Sequence, residues 1–144
     1  MLTNEDIQAA LVNLVKINAA LPYPVHFNRV RKSDKSYIWI EIRTSKKSFD
    51  SVYFQRVLAI DIQVVLMPDE YAEVKYTDLM KISDALDAAI MPCVKIKDRN
   101  ITVQDFNSYV VDDVLHYEFM ENLEVDLNKD TSRRVFFVEN GDEE

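Results

Sequence analysis

Apolar and polar positions alternate along the chain in a way that predicts the order helix, strands, helix, strands. Ile7, Ala10, Leu11, Leu14 and Val15 recur at helical spacing, giving one apolar face that runs to about Asn18. Thr3 is a good N-cap for this helix, and Glu5 and Asp6 place negative charge in its first turn, where the helix dipole favours it. Leu2 and Ile7 occupy the positions of a hydrophobic staple, and Pro22 and Pro24 end the element.

Strand patterns follow. Residues 25–30 predict a short strand and residues 31–35 a polar turn. Over residues 36–44, Ile38, Ile40 and Ile42 point one way and Tyr37, Trp39, Glu41 and Arg43 the other. A second polar stretch, residues 45–51, leads into a long strand with Phe54, Leu58, Ile60, Ile62, Val64 and Leu66 on one face, Arg56 being the exception. Gln55, Asp61 and Gln63 face away, and Pro68 closes the strand. One apolar and one polar face is the signature of an antiparallel sheet.

The second helix is predicted from about Val74 or Thr77 to Met91, with Leu79, Ile82, Leu86, Ala89 and Ile90 on one side and Pro92 as its stop. Strands resume at residues 94–96, turn at residues 98–100, and continue over residues 101–106. Asp112-Asp113 marks a turn or bulge before a long strand over residues 114–127. Its Leu115, Tyr117, Phe119, Leu123, Val125 and Leu127 share one face, and His116, Glu118, Asn122, Glu124 and Asp126 the other. The expected fold is α+β, an antiparallel β-sheet with two α-helices packed on one face. Residues 1–128 form the expected domain; residues 129–144 read as a polar linker, the apolar patch Val135-Phe136-Phe137-Val138 and an acidic end.

Composition narrows the function classes. With 144 residues, 48% of them hydrophobic, the chain can build its own core without a disulfide or metal staple. Gly141 is the only glycine, which argues against repeated positive-φ turns and removes Gly-rich phosphate loops. Cys93 stands alone, so neither an internal disulfide nor a cysteine-based zinc site can form; it reads as a small buried hydrophobe in a reducing compartment. The acidic N-terminus lacks the layout of a signal peptide, and no run approaches the roughly 18 apolar residues of a membrane span. A soluble intracellular protein is expected, with no membrane partner.

Charge is unevenly spread. Between Arg29 and Lys47 lie Arg29, Arg31, Lys32, Lys35, Arg43, Lys46 and Lys47 against Asp34 and Glu41, a local balance of +5 that leaves −13 on the remainder of a chain whose net charge is −8. Overall acidity argues against nucleic-acid binding by the whole domain. A basic arm on an acidic body can pair head-to-tail with a neighbour's acidic surface, or be a solvated hairpin.

Catalytic and metal chemistry find little support. His26 and His116 stand in strands without a partner histidine at ligand spacing. Glu118, Glu124 and Asp126 share one strand face, as does Asp61 on another, yet they alternate with apolar residues as solvated strands do. No nucleophile elbow, phosphate loop, calcium loop or dinucleotide fingerprint is present, so no enzyme activity and no cofactor are expected. Two features exceed the ordinary. Tyr37 and Trp39 put aromatic rings on the face opposite three isoleucines, which implies either a partner surface or cover from within the monomer. Val135 to Val138 can return to its own sheet or add a strand to a neighbour. The interface candidates are Tyr37, Trp39, Arg43, Lys46, Lys47, Phe136 and Phe137.

Three phrases of the second half carry a family likeness: Met80-Lys81-Ile82-Ser83-Asp84-Ala85-Leu86, Val94-Lys95-Ile96-Lys97-Asp98-Arg99-Asn100-Ile101-Thr102-Val103, and Val111-Asp112-Asp113-Val114-Leu115-His116-Tyr117-Glu118-Phe119. With the helix and long strand before them, they make the chain, over roughly residues 3–127, resemble the tail terminator (tail completion) proteins of long-tailed phages and phage-like particles of Gram-positive bacteria. Residues 27–51 share nothing recognisable with it. The resemblance implies a hexameric ring that assembles in the bacterial cytoplasm and stays in the virion or tail-like particle. That ring caps the tail tube, ends its polymerisation and joins tail to head or collar, and in contractile tails it also contacts the sheath. It implies as partners further copies of the chain, the tail tube protein, and sheath and head-completion or collar proteins. It supplies no catalytic or cofactor residues. The competing readings are a head-completion or neck protein of the same particles, and a small monomeric protein-binding adaptor.

Overall fold

The computed structural model describes residues 2–30, 33–49, 52–91 and 93–126. It is a mostly-sheet α+β fold with the elements α1 (Asn4–Asn13), β1 (Val25–His26), β2 (Tyr37–Phe49), β3 (Tyr53–Val65), α2 (Tyr76–Ile90), β4 (Cys93–Ile96), β5 (Arg99–Val111) and β6 (Val114–Asp126). The six strands lie in the order β1-β2-β3-β6-β5-β4, all neighbours antiparallel except β1, which runs parallel to β2 through Val25 and His26 alone. The strand expected over residues 25–30 is therefore reduced to its first two residues.

Helix α1 starts as its sequence dictates. The Asp6 N–H donates to Thr3 Oγ1 at 3.2 Å and the Thr3 N–H donates to Asp6 Oδ2 at 2.9 Å, closing a capping box over two orphan donors. The helix then widens into a π-helical turn over Leu14–Asn18, where the Ala19 N–H reaches back to the Leu14 carbonyl. Leu14 and Val15 at its start are both buried. Arg56, out of place in its strand's apolar face, extends beneath the helix start: its guanidinium donates to the Leu2 carbonyl at 3.0 Å and to Asn4 Oδ1 at 3.3 Å.

Both helices cover one face of the sheet. Ile38 and Ile40 of β2, Leu58, Ile60, Ile62 and Val64 of β3, and Leu115, Tyr117, Phe119 and Leu123 of β6 form one core with Ile7, Leu11, Leu14, Leu79, Leu86 and Ile90 from the helices. Polar bonds pin α2 in place: Ser83 Oγ lies 3.0 Å from Ser108 Oγ, and the Tyr117 hydroxyl donates to Asp87 Oδ1. Burial, with that carboxylate bond second, raises the Tyr117 phenol far above its ordinary value.

Several boundaries differ from the sequence reading. Strand β2 does not stop near Thr44 but continues to Phe49, its register shifting between Thr44 and Lys46 in a bulge that absorbs the extra residue. Strand β5 likewise extends from Arg99 to Val111 through an irregularity between Gln104 and Asn107, with Asp105 at φ 56°. The β4–β5 turn is Lys97-Asp98, since Ile96 pairs with Arg99. Asp112-Asp113 is the two-residue turn between β5 and β6, both residues at positive φ, as a type I′ hairpin requires. Among the described residues six that are not glycine adopt positive φ (Ala20, Ala72, Lys97, Asp105, Asp112 and Asp113), so scarcity of glycine does not exclude such turns. Aspartates tolerate the left-handed region, and the surrounding fold holds the others there. Cys93 is half-buried rather than buried. No described helix is long and apolar enough to cross a membrane.

Candidate interface on the open sheet face

The face of the sheet away from the helices is built by the period-two alternation of β2, β3 and β6. Register places its residues in rows. Trp39 opposes Gln63, which opposes His116, which opposes Tyr109; the next row is Glu41, Asp61 and Glu118, and below it stand Arg43, Ala59 and Met120. Tyr37 and Trp39 do lie opposite the isoleucines, and both are half-buried. The Trp39 indole N–H is shielded from solvent yet finds no acceptor, an unusual state for a residue whose single donor normally pairs when covered. The ring of Tyr37 meets His26 of β1 edge-on at 6.0 Å.

At the centre sits Asp61, only 8% exposed. Its Oδ2 accepts from Gln63 Nε2 at 3.1 Å and lies 3.1 Å from His116 Nδ1, while its Oδ1 has no partner. Burial raises the Asp61 carboxyl above its ordinary value; the His116 bond and charge oppose the shift, and the carboxylates of Glu118 and Glu41 add to it. The Tyr109 ring stacks on His116 at 5.0 Å, and its hydroxyl donates to Glu118 Oε2 at 2.9 Å, a bond that raises the phenol above its ordinary value. Beside these groups lies a shallow hollow of about 180 Å³ lined by Arg43, Ala59, Asp61, Asp105, Glu118 and Met120.

The sequence-derived candidates are thus partly brought together. Tyr37, Trp39, Arg43 and Lys46 share the open face, while the bulge turns Lys47 to the same side as Arg56. Phe136 and Phe137 lie outside the described residues, as do residues 129–144 as a whole and Arg31 and Lys32 of the basic stretch. Asp61, read from sequence as a solvated strand residue, is instead buried and hydrogen-bonded to the half-buried His116. Tyr109 was missed, although the Asp112-Asp113 turn, once taken as two residues, puts it opposite His116. Also missed was Glu121, which stands on the core face and is fully buried with both carboxylate oxygens unpartnered. Its signal is the alternation Leu115, Tyr117, Phe119, Glu121, Leu123.

The Asp61–His116 pair has the look of a proton-transfer couple, but the residues facing it are Gln63, Glu118, Glu41 and Tyr109, with no serine or cysteine in the row. Among the described residues no group of three or more His, Cys, Asp or Glu side chains is placed to hold a metal ion. What the face offers is a mixed aromatic and acidic surface on which the Trp39 indole N–H and Asp61 Oδ1 lack partners. Among curated proteins no match is found. The family model for phage tail terminator proteins matches residues 6–133, which take in the whole sheet, α2 and all but the first two residues of α1, and the chain belongs to that family.

Proposed function

We propose that this structural tail protein assembles into a hexameric ring that caps the tail tube, ends its polymerisation and joins tail to head or collar. In a contractile tail the same ring meets the end of the sheath. Its partners are further copies of itself and the tube protein, with head-completion or collar proteins on the opposite side, and assembly takes place in the bacterial cytoplasm. The role calls for no catalysis and no cofactor. Residues 1–128 form the ring body, and residues 129–144, with Phe136 and Phe137, make a peripheral contact.

The observation that carries this reading is the family match, and the open sheet face supports it. Both helices pack on the other side, yet this face holds a half-buried tryptophan whose indole N–H lacks an acceptor. Aromatic residues left half-covered on an open sheet face are favoured anchors for a partner. Trp39→Ala is expected to leave the thermal midpoint within a few degrees of the parent while ring formation and tube capping fall at least tenfold. A large drop in the midpoint, with assembly of the folded fraction intact, would make Trp39 a core residue instead.

A further inference from the structure

The row Glu41, Asp61 and Glu118 sets three carboxylates side by side on neighbouring strands. Like charges directly opposite one another destabilise a sheet, so such a row needs compensation. The described residues supply little. His116 bonds to Asp61 and Tyr109 to Glu118, but Asp61 Oδ1 is buried without a partner and Arg43, in the same hollow, forms no ion pair. Four carboxylates, those of Glu41, Asp61, Asp105 and Glu118, stand around or beside that hollow against the one guanidinium. The hollow is open, acidic and of side-chain size.

The same chain carries the complementary group. Strand β2 runs on past its bulge, and residues 44–49 are exposed on both faces of the sheet. Lys46 and Lys47 stand there, exposed, one on each face, and neither forms an ion pair among the described residues. The acidic hollow and the basic end of β2 are different patches, and a contact between them that repeats head-to-tail closes a ring when the rotation permits. We infer that the acidic row Glu41–Asp61–Glu118 is the docking site for the basic β2 end, Lys46 and Lys47, of the neighbouring copy. This pairing rests on the ring reading above and gives it a named contact. The part-exposed carboxylates of Glu41 and Glu118 would then accept from lysine ammonium groups, and the excess charge of the row would be offset across the interface.

Charge reversal tests the pairing. One variant carries Glu41→Lys and Glu118→Lys, a second carries Lys46→Glu and Lys47→Glu, and a third combines all four. Far-ultraviolet circular dichroism and melting temperature establish that each is folded, and native mass measurement, alone and on tail tubes, reads assembly. Each double variant is expected to assemble at least tenfold more weakly than the parent. An equimolar mixture of the two, and the fourfold variant alone, are expected to recover assembly, because in both every contact again joins opposite charges. Folded double variants that assemble like the parent, or a mixture and fourfold variant that both fail, overturn the pairing while the parent's ring stands. Loss in the acidic-face variant only, with the Lys46 and Lys47 variant unaffected, assigns the hollow to a basic group of another protein such as the tube subunit and also overturns it. A parent chain that never associates, alone or on tubes, removes the ring reading and this contact together.

Discussion

A carboxyl buried between apolar neighbours without a hydrogen-bond partner is costly to ionise. Glu121 is such a group: it opposes Leu58 on one side and Val103 on the other, and burial lifts its pKa from 4.5 to about 7. The unfolded chain loses this proton near pH 4.5 and the folded chain holds it until about pH 7. Its contribution to stability is therefore fully present below pH 4.5, is lost as pH rises through about 7, and then levels off. The loss amounts to about 3 kcal/mol. Replacing the residue by an apolar one of similar size, Glu121→Leu, is expected to stabilise the protein more at pH 8 than at pH 4, by about that difference. Denaturant unfolding across this pH range reads it, and identical pH slopes in parent and variant would show that Glu121 is not the group responsible.

Among the elements, α1 and its exit show how local sequence sets local structure. The Thr3–Asp6 box fixes the helix start, and the Asp6 carboxyl is held below its ordinary value chiefly by the Thr3 backbone bond, with Lys97 3.3 Å away. Thr3→Ala should lower stability by about 1 kcal/mol, measured by denaturant midpoint; no change would mean that the box is not formed in solution. At the other end Ala20 takes φ 54°, a conformation that costs a residue with a Cβ roughly 1 kcal/mol and glycine almost nothing. Ala20→Gly is thus expected to raise the melting temperature by a few degrees, and a fall would show that the flexibility gained in the unfolded chain outweighs the relief. The order of elements, the Thr3 cap and the core faces of β2, β3 and β6 were legible because they are periodic or local. The bulges at Thr44 and beyond Gln104 were not, since a polar strand end that keeps pairing looks like a turn when only one strand is read. The reduction of β1 to two residues depends on an edge pairing that no local pattern encodes.

For the molecule as a whole, one sheet face is consumed by the helices and the other is left with Tyr37, Trp39, an acidic row centred on the buried Asp61 and a basic strand end. Sequence alone placed Tyr37 and Trp39 on that second face, but it could not join Asp61 to His116 or show the row Glu41, Asp61 and Glu118, because cross-strand neighbours follow from register rather than from sequence spacing. A body that concentrates positive charge at one strand end and negative charge in one hollow is suited to repeating contacts between copies. The most direct measurement is the mass of the purified protein, alone and mixed with tail tubes, together with negative-stain images of the mixture. Closed rings of subunits, or density capping one end of each tube, are the predicted result. A chain that remains monomeric at all concentrations and never engages a tube end would contradict the ring and leave a monomeric binding protein in its place.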